Sequence, residues 1–356
     1  MKKVRLGIIG TSWWSDMHHI PAFDSHVGVD IVAICGRNRE RAEEMAKKYQ
    51  IPNVYTDYRE MVDNGELEAI AILTPDDQHH EMTLYSLNAH LHVLCEKPLS
   101  VKLLDAQEMC RKAEEVGVKH MVFFTWKWFP YYQHLNYLVS SGFVGQPFHY
   151  EIAYRFGGNR STGSYSWRYD AQRANGALGD LGSHCIDLAR WMFGDISAVF
   201  ASLDTFTRCP DTEMPANDSA VLFIKHANIS RGIIHASNVS IKESRGIHYC
   251  TIQGSEGLLE LDISFEKMEI RGAQNGEDIR EIPVPDSYWI GIDRTQPIMD
   301  QISQYFKSNS VGGRLFIDAI LQDMDFSPNF YDGLKVQEVI DAALQSNDLG
   351  KWVNAT

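Results

Sequence analysis

Apolar and polar positions follow two different patterns along the first 120 residues, short apolar runs and stretches of helical spacing. The apolar runs have the length of buried strands and predict strands at 4–9, 31–35, 69–73, 92–95 and 118–124. Apolar side chains three and four residues apart predict helices at 39–49, 81–88 and 103–116. Strands that alternate with helices are typical of βαβ units, so this region is predicted to form a parallel sheet.

Beyond about residue 125 the chain changes to longer extended segments. These predict strands of a mostly antiparallel sheet at 148–156, 199–207, 220–224, 232–239, 248–253 and 258–261. A helix at 178–193 interrupts them, and residues 332–345 form a closing amphipathic helix. We therefore expect an α/β protein with domains at 1–125 and 126–356, and the closing helix is a candidate to pack back on the first domain.

Length and charge narrow the classes of function. The chain has 356 residues, about twice the usual size of one domain. Its 47 acidic residues against 33 Lys and Arg give a net charge of -14, which disfavours nucleic acid and anionic membrane surfaces as partners. No apolar run approaches the roughly 18 residues of a transmembrane helix, and none fits a signal peptide. We expect a cytoplasmic protein that binds a small-molecule substrate, with no nucleic acid and no membrane as partner.

The cysteines and histidines carry no pattern of a disulfide framework or a metal site. No CxxC pair occurs, and several cysteines lie in apolar stretches, as buried free thiols do in a reducing cytosol. The six are Cys35, Cys95, Cys110, Cys185, Cys209 and Cys250. The histidine pairs lack carboxylates or thiols at metal-ligand spacing, so we expect no bound metal.

The first predicted strand runs into a turn with the sequence GIIGTSWWS at residues 7–15. A dinucleotide-binding turn has the pattern G-x-G-x-x-G/A, which lets the backbone and a helix N-terminus approach the pyrophosphate. Only Gly10 is kept here, while Ser12 and Ser15 occupy the other two positions. The turn is either a dinucleotide site or a plain strand-to-helix connection, and its place at the start of the chain favours the dinucleotide.

The end of the second strand bears on which dinucleotide binds. An acidic residue there would bind the ribose hydroxyls of NAD, whereas an arginine accommodates the 2′-phosphate of NADP. The chain has Cys35-Gly36-Arg37, with no acid at the strand end. NADP is therefore favoured and NAD is the alternative, although a surface arginine also occurs in loops without this role.

Two more segments place reactive groups where a ligand is expected. Lys97, in Glu96-Lys97-Pro98, follows a later strand, and an ammonium group at the carboxyl end of a parallel strand is placed to hold an alkoxide. Asp180 and His184 lie four residues apart, so a helix puts both on one face, with the histidine as a general acid or base. The ordinary alternatives are a solvated Glu–Lys pair and a structural Asp–His pair.

Taken together, these motifs resemble the Gfo/Idh/MocA family of NAD(P)-dependent oxidoreductases, the glucose-fructose oxidoreductase and inositol dehydrogenase group. The resemblance spans almost the whole chain and is carried by 7–11, 33–46, Thr74-Pro75 with His79, Glu96-Lys97-Pro98, Trp167-Arg168, 176–194, 217–220 and 332–334. The order and separation of Glu-Lys-Pro and Asp-x-x-x-His make it specific. The chain departs from the family pattern at Ser12, Ser15, Asp76, Phe123, Thr125 and Lys127.

The resemblance implies a Rossmann domain followed by an α/β domain whose large open sheet commonly joins subunits into homodimers or homotetramers. It implies catalytic roles for Lys97, Asp180 and His184. Together with the first turn and the arginine after the second strand, it assigns to the nicotinamide cofactor Gly10, Thr11, Ser12, Trp13, Trp14, Arg37, Thr74, Pro75, His79, Glu96, Lys97, Thr125, Trp167 and Arg168.

The function that the resemblance implies is hydride transfer between the nicotinamide and a secondary alcohol or ketone of a sugar, inositol or related polyol. Two alternatives share this architecture. One is an NAD-dependent glycoside hydrolase, which releases no reduced nucleotide, and the other is a non-enzymatic dinucleotide sensor that binds regulatory proteins. The retained Lys97, Asp180 and His184 argue against a sensor.

Overall fold

A computed structural model describes residues 2–157, 165–207, 212, 214–228, 230–240, 248–264 and 267–355. The chain forms two compact units, here called the first unit (Met1–Phe124 with Trp289–Leu334) and the second unit (Thr125–Tyr288 with Lys335–Thr356). Within the described ranges, no helix has the length and apolar character needed to cross a membrane. Cys209 lies outside the described residues, and the other five cysteines are buried free thiols.

The strands in chain order are Val4–Ile9 (β1), Val29–Cys35 (β2), Asn53–Tyr55 (β3), Ala69–Ile72 (β4), His92–Glu96 (β5), His120–Phe123 (β6), Pro147–Arg155 (β7), Ile196–Asp204 (β8), Ser219–His226 (β9), Arg231–Ser237 (β10), His248–Gly254 (β11), Gly257–Ile263 (β12), Met268–Gln274 (β13), Arg280–Glu281 (β14) and Val353–Asn354 (β15). The α-helices are Ile20–Asp24 (α1), Arg39–Tyr49 (α2), Tyr58–Asn64 (α3), His79–Asn88 (α4), Leu103–Val116 (α5), Thr125–Trp128 (α6), Pro130–Ser140 (α7), Ser183–Phe193 (α8), Ile298–Ser308 (α9), Gly313–Gln322 (α10) and Phe330–Leu349 (α11).

Buried apolar runs form a six-stranded sheet in the first unit. Its strands pair in the order β3-β2-β1-β4-β5-β6, and the pairings are parallel, which confirms the predicted sheet. All four residues of β4 are buried, as expected for a strand of a parallel sheet covered on both faces. The strand order reverses between β1 and β4, and ligands of doubly wound sheets bind beyond the carboxyl ends of the strands at such a point.

Two helices of the first unit begin and end where the sequence predicts. α2 starts after Asn38, whose side chain accepts the N–H of Arg41 at 3.0 Å, and it ends at Gln50 in the left-handed conformation. α5 covers the predicted 103–116 and ends at Gly117, which is also left-handed. Local capping chemistry therefore fixes both ends of α2 and the C-terminal end of α5.

Residues 289–334 are assigned by the sequence to the second domain, whereas in the structure they belong to the first unit. α9 buries an apolar face there, with Ile302 and Phe306 each 2% exposed. α10 begins at Gly313, where a Cβ would lie 2.8 Å from the ring of Phe23. These contacts with first-unit side chains hold the segment, and an amphipathic pattern does not show which core a helix joins.

A nine-stranded sheet dominates the second unit, in the order β14-β13-β12-β11-β7-β10-β9-β8-β15. Neighbouring strands are antiparallel except β7 and β10, so the predicted mostly antiparallel sheet is confirmed. Helix α8 packs on one face of this sheet. Tyr150 of β7 stacks there on Phe193 of α8, with ring centroids 4.3 Å apart.

The helix predicted at 178–193 has two parts. Leu178–Gly182 is a π-helical turn, and the regular helix α8 starts only at Ser183. Glycines such as those of this turn weaken a regular helix by about 1 kcal/mol each, and π-helical turns are frequent at functional sites. Asp180 therefore lies in the π-helical turn, and His184 lies in the first turn of α8.

His18 is a buried imidazole of the first unit whose protonation opposes folding. It is 2% exposed, and neither ring nitrogen has a hydrogen-bond partner among the described residues. Burial, together with the charge of the neighbouring His19, lowers the pKa of His18 to about 4. The unfolded chain protonates this side chain below about pH 6.5. The contribution of neutral His18 to the free energy of unfolding is therefore complete above about pH 6.5, and it declines as the pH falls toward 4.

We expect His18→Leu to remove this part of the pH dependence. Between pH 7 and pH 5 the unfolding free energy of the wild type should fall by roughly 2 kcal/mol more than that of the variant. Urea unfolding at the two pH values measures the difference. His149→Gln, which changes an exposed histidine, should behave as the wild type does, and equal losses in the wild type and His18→Leu would contradict the assignment.

Candidate active site

The turn after β1 has the backbone geometry of a close ligand approach. Gly10 has a φ of 120°, and a Cβ there would lie 2.3 Å from the carbonyl oxygen of Leu73, so only glycine fits. The Gly10 N–H donates to the carbonyl of Cys35 at 2.9 Å. The turn is thus held against the ends of β2 and β4, at the edge of the sheet where a dinucleotide is expected.

Ser12 and Ser15, which occupy the second and third small-residue positions of the dinucleotide-binding pattern, are hydrogen-bonded to each other within this turn. Ser12 Oγ accepts the N–H of Ser15 at 3.2 Å, and the two hydroxyl oxygens lie 3.0 Å apart. Trp13 is 59% exposed and packs edge-on against Trp14, with ring centroids 5.4 Å apart. Ser12 is exposed and its side chain is small, so the backbone of the turn stays accessible and fits a pyrophosphate.

Glu96 connects the turn to the end of β5. Its Oε1 accepts the indole N–H of Trp14 at 2.9 Å and lies 2.6 Å from His19 Nε2, and its Oε2 accepts the N–H of Lys97 at 3.0 Å. Burial opposes the charged carboxylate, but the bond with His19 and the nearby positive charges outweigh burial and lower the pKa of Glu96. Two predicted cofactor residues, Trp14 and Glu96, are thus brought together, and His19 joins them although no sequence spacing singles it out.

His79 ties together the loops that follow β4 and β5. Its ring nitrogens lie 2.8 Å from the carbonyl oxygen of Pro98 and 3.0 Å from that of Thr74, and its side chain is fully buried. Pro75 follows Thr74 and leads into the 3₁₀ turn Asp76–Gln78 at the start of α4. Because β4 and β5 are adjacent in the sheet, His79 fixes two loops at its carboxyl edge.

Arg37 and Lys97 follow two other strands at the same edge. Arg37 comes after β2 and is exposed. Just before it, Gly36 packs on Thr11, where a Cβ would lie 2.6 Å from Thr11 Cγ2, so the first turn sits beside the end of β2. Lys97 comes directly after β5. The carboxyl edge of this sheet therefore carries cationic side chains beside a glycine-containing turn, which fits an anionic dinucleotide.

Asp180 of the second unit lies beside an arginine and a tryptophan. Its side chain is 23% exposed, and its Oδ2 is 3.7 Å from Arg168 Nε. The Arg168 guanidinium lies over the ring of Trp167, 4.3 Å from the centroid. His184, one turn further along the chain, is 5% exposed. Four residues that are predicted to act in catalysis or cofactor binding thus lie at the start of α8 or beside it. They are Trp167, Arg168, Asp180 and His184.

Tyr154 of β7 is a neighbour of this group that sequence reasoning misses. Its ring lies 6.1 Å from the ring of His184 and 3.9 Å from that of His248. Burial, and after it the charge of Asp180, raise the pKa of Tyr154, so the phenol stays protonated at neutral pH. The alternation of β7 predicts that Tyr154 faces the core, but it does not predict which helix residue it meets.

Thr125, which the sequence assigns to the cofactor, opens α6 and is 6% exposed. The same helix carries Lys127, whose Nζ lies 3.6 Å from Asp187 Oδ1 of α8. Both of these side chains are buried, with exposures of 8% and 1%. Lys127 Nζ also lies over the ring of Trp191, 5.6 Å from the centroid. This ion pair joins α6 to α8 three residues beyond His184.

Three ionisable side chains lie at the start of α8 or beside it. A carboxylate, an imidazole and a phenol, those of Asp180, His184 and Tyr154, are the usual participants in general acid and base chemistry. In the part of the chain that the structure describes, no group of three or more His, Cys, Asp or Glu side chains could hold a metal ion.

Comparison with known proteins agrees with this architecture. Residues 4–124 match the oxidoreductase family GFO/IDH/MocA with its NAD-binding Rossmann fold, and residues 132–260 match the GFO/IDH/MocA C-terminal domain. Levoglucosan dehydrogenase of Pseudarthrobacter phenanthrenivorans is 25% identical over 99% of this chain and 98% of its own. The scyllo-inositol 2-dehydrogenase (NADP(+)) of Bacillus subtilis is 29% identical over 80% of this chain and 83% of its own.

A solved structure of levoglucosan dehydrogenase in complex with NADH and levoglucosan has the same fold. Its TM-score is 0.86 at 23% identity, over 99% of this chain and 100% of that chain. The two family regions cover most of the sequence, and each lies in the part of the chain where the resemblance predicts it. The resemblance is therefore confirmed, and the chain belongs to the GFO/IDH/MocA family of oxidoreductases with an NAD-binding Rossmann fold.

Proposed function

We propose that the protein oxidises a secondary alcohol of a sugar, inositol or related polyol, or reduces the corresponding ketone, with NADP as the preferred cofactor. The observation that carries the proposal is the partly exposed Asp180 beside Arg168, with His184 one turn further on, because it gathers polar groups for a hydroxylated substrate. The relatives named for levoglucosan and scyllo-inositol support a substrate of this class.

Each of three residues has a proposed role in the reaction. The nicotinamide, when bound, supplies the hydride chemistry. His184 takes the proton of the hydroxyl group that is oxidised, and Lys97 holds the developing alkoxide as a cation. Asp180 binds a hydroxyl group of the substrate or orients His184. In the reverse direction His184 returns the proton to the alkoxide oxygen.

The first unit would hold the dinucleotide at the turn after β1 and at the loop after β2. Gly10 and Ser12 leave the backbone of the turn open to the pyrophosphate. Thr11 packs against Gly36, which places the turn beside the exposed Arg37. A guanidinium suits a 2′-phosphate, and the end of β2 offers no carboxylate for the ribose of NAD, so these residues support NADP.

Arg37→Ala should raise the KM for NADP by roughly 10- to 100-fold, because a hydrogen bond between charged groups is lost. The KM for NAD should change by less than about threefold, since NAD has no 2′-phosphate. Initial rates with each dinucleotide measure both values. Arg39→Ala is the matched control, since Arg39 pairs with Glu43 on the surface of α2 at 3.3 Å. A wild-type preference for NAD would refute the role of Arg37.

The function itself is tested by the reduction of NADP and of NAD, assayed separately at alkaline pH. The panel contains levoglucosan, scyllo-inositol, other inositols and monosaccharides. We expect formation of reduced nucleotide with at least one of them. No turnover with any member, despite dinucleotide binding, would overturn the proposal.

We also propose a cytoplasmic location and a homodimer or homotetramer formed through the nine-stranded sheet. The buried free thiols support a reducing compartment. Phe223 and Ile233 are partners across β9 and β10 and are 45% and 38% exposed, which supports an apolar contact surface on the sheet. Light scattering of the purified protein measures the number of subunits.

A further inference from the structure

We infer that Asn217 is a positioning residue, which holds Asp180 in place by capping the π-helical turn Leu178–Gly182 from a different strand. Asn217 lies just before β9, on the chain that follows β8. The inference rests on the proposed role of Asp180, and it adds a residue that acts through Asp180.

The π-helical turn lacks a cap from its own sequence. The first N–H groups of a helical segment have no partner inside that segment, and a side chain immediately before it usually supplies one. Ala177 occupies that position, and its side chain makes no capping hydrogen bond. The N–H of Ala177 donates instead to the carbonyl oxygen of Asn217 at 2.8 Å, and the N–H of Leu178 donates to Asn217 Oδ1 at 3.0 Å.

The other end of the Asn217 amide is also used. Its Nδ2 donates to the carbonyl oxygen of Asn175 at 2.9 Å, and the same oxygen accepts the N–H of Gly179 at 3.1 Å. The Asn217 side chain thus makes two hydrogen bonds with this segment, one as an acceptor and one as a donor. A carboxamide has both functions, whereas a carboxylate only accepts.

Backbone packing makes the contact between the two segments tight. Gly176 has a φ of 60°, and a Cβ there would lie 2.1 Å from the carbonyl oxygen of Asn217. Asp218, which follows Asn217, accepts the N–H groups of Phe206 at 2.9 Å and Thr207 at 2.7 Å. The segment around Asn217 is therefore itself anchored, so it can serve as a fixed point for the turn.

The position of Asp180 follows from this cap. Asp180 is two residues beyond Leu178, within the capped turn, and its side chain reaches Arg168. If the cap is lost, the turn is free to move while α8 keeps its own hydrogen bonds. A displacement of a reacting group by about 1 Å costs on the order of 10²-fold in rate.

The test compares Asn217→Ala with Asn228→Ala. Asn228 also uses both ends of its amide, since Nδ2 donates to the carbonyl of Phe193 at 2.9 Å and Oδ1 accepts the N–H of Ser230 at 2.8 Å. This control removes a similar pair of bonds at the far end of α8. We expect both variants to lose a similar amount of Tm. Only Asn217→Ala should lower kcat, by roughly 10- to 100-fold, with a KM for the dinucleotide within about twofold of the wild type.

Equal kcat values in the two variants would overturn the inference while the proposed function stands. Should Asn217→Ala not fold, Asn217→Asp keeps the shape and the acceptor for the Leu178 N–H but loses the donor to Asn175. We expect it to lower kcat by roughly 3- to 10-fold. A kcat equal to that of the wild type would contradict the cap.

Should the wild type turn over no member of the panel, the proposed function fails, and the positioning is tested without a substrate. Asp180 and His184 are on successive turns, so movement of the capped turn should change the ¹⁵N signals of the His184 imidazole. We expect these NMR signals to shift in Asn217→Ala and to stay unchanged in Asn228→Ala. Unchanged signals in both variants would overturn the inference.

Discussion

His184→Ala is expected to lower kcat by roughly 10²- to 10⁴-fold while the Kd for NADP changes by less than about twofold. The imidazole is 5% exposed in the first turn of α8 and has the partly exposed Asp180 on the preceding turn. Histidine titrates near neutral pH and is the most frequent general acid or base, so its loss removes the proposed acceptor of the hydroxyl proton. Steady-state rates with the best panel substrate and a fluorescence titration with NADP measure the two quantities.

A matched control separates chemistry from packing. His226 is a buried histidine of β9, bonded to the hydroxyl of Tyr150 at 2.8 Å and to the carbonyl of Gly194 at 2.8 Å. His226→Ala should lower Tm but keep kcat within a few-fold of the wild type. Wild-type turnover by His184→Ala on every panel substrate would refute the role of His184. Equal loss of kcat in both variants would instead indicate a loss of packing.

The first unit is the region in which sequence predicts structure most directly. A strand buried on both faces of a parallel sheet is a nearly continuous apolar run, and β1, β2, β4 and β5 each overlap such a predicted run, with ends that differ by at most two residues. The boundaries of α2 are fixed by local chemistry, an asparagine cap at one end and a left-handed residue at the other. Signals of this kind need no knowledge of the rest of the chain.

The sequence does not predict where segment 289–334 packs or where the π-helical turn Leu178–Gly182 forms. The amphipathic face of α9 can join any apolar core, and its place in the first unit depends on contacts with distant residues, such as Phe306 with Phe123, whose ring centroids lie 5.3 Å apart. The apolar spacing of 178–193 is compatible with a regular helix throughout. The π-helical turn depends on bonds to Asn217, which lies 39 residues beyond Leu178.

The candidate site, like the fold, can be predicted from the sequence only in part. The motifs identify Lys97, Asp180 and His184, and their catalytic roles stay predictions. The residues around them come from distant parts of the chain, as with Glu96 and His19, 77 residues apart. Sequence spacing within one helix or strand cannot reveal such contacts, because they depend on how the elements pack.

Asp187→Ala is expected to lower the unfolding free energy by about 3–5 kcal/mol, because it removes one partner of a buried ion pair. Lys127 Nζ lies 3.6 Å from Asp187 Oδ1, and the two side chains are 8% and 1% exposed. Without this carboxylate the ammonium group stays buried beside the Trp191 ring and loses the negative charge of Asp187. Urea unfolding followed by tryptophan fluorescence measures the loss, since Trp191 lies beside Lys127 in the second unit.

Two further variants show whether charge or packing causes the loss. Glu269→Ala breaks the exposed pair with Lys267, whose side chain is 56% exposed, and should cost at most about 1 kcal/mol. The double variant Lys127→Met with Asp187→Leu removes both charges and keeps apolar volume. It should recover most of the stability lost in Asp187→Ala, because no charge remains to be desolvated. A double variant as unstable as Asp187→Ala would mean that the interior depends on the shape of these side chains and not on their charges.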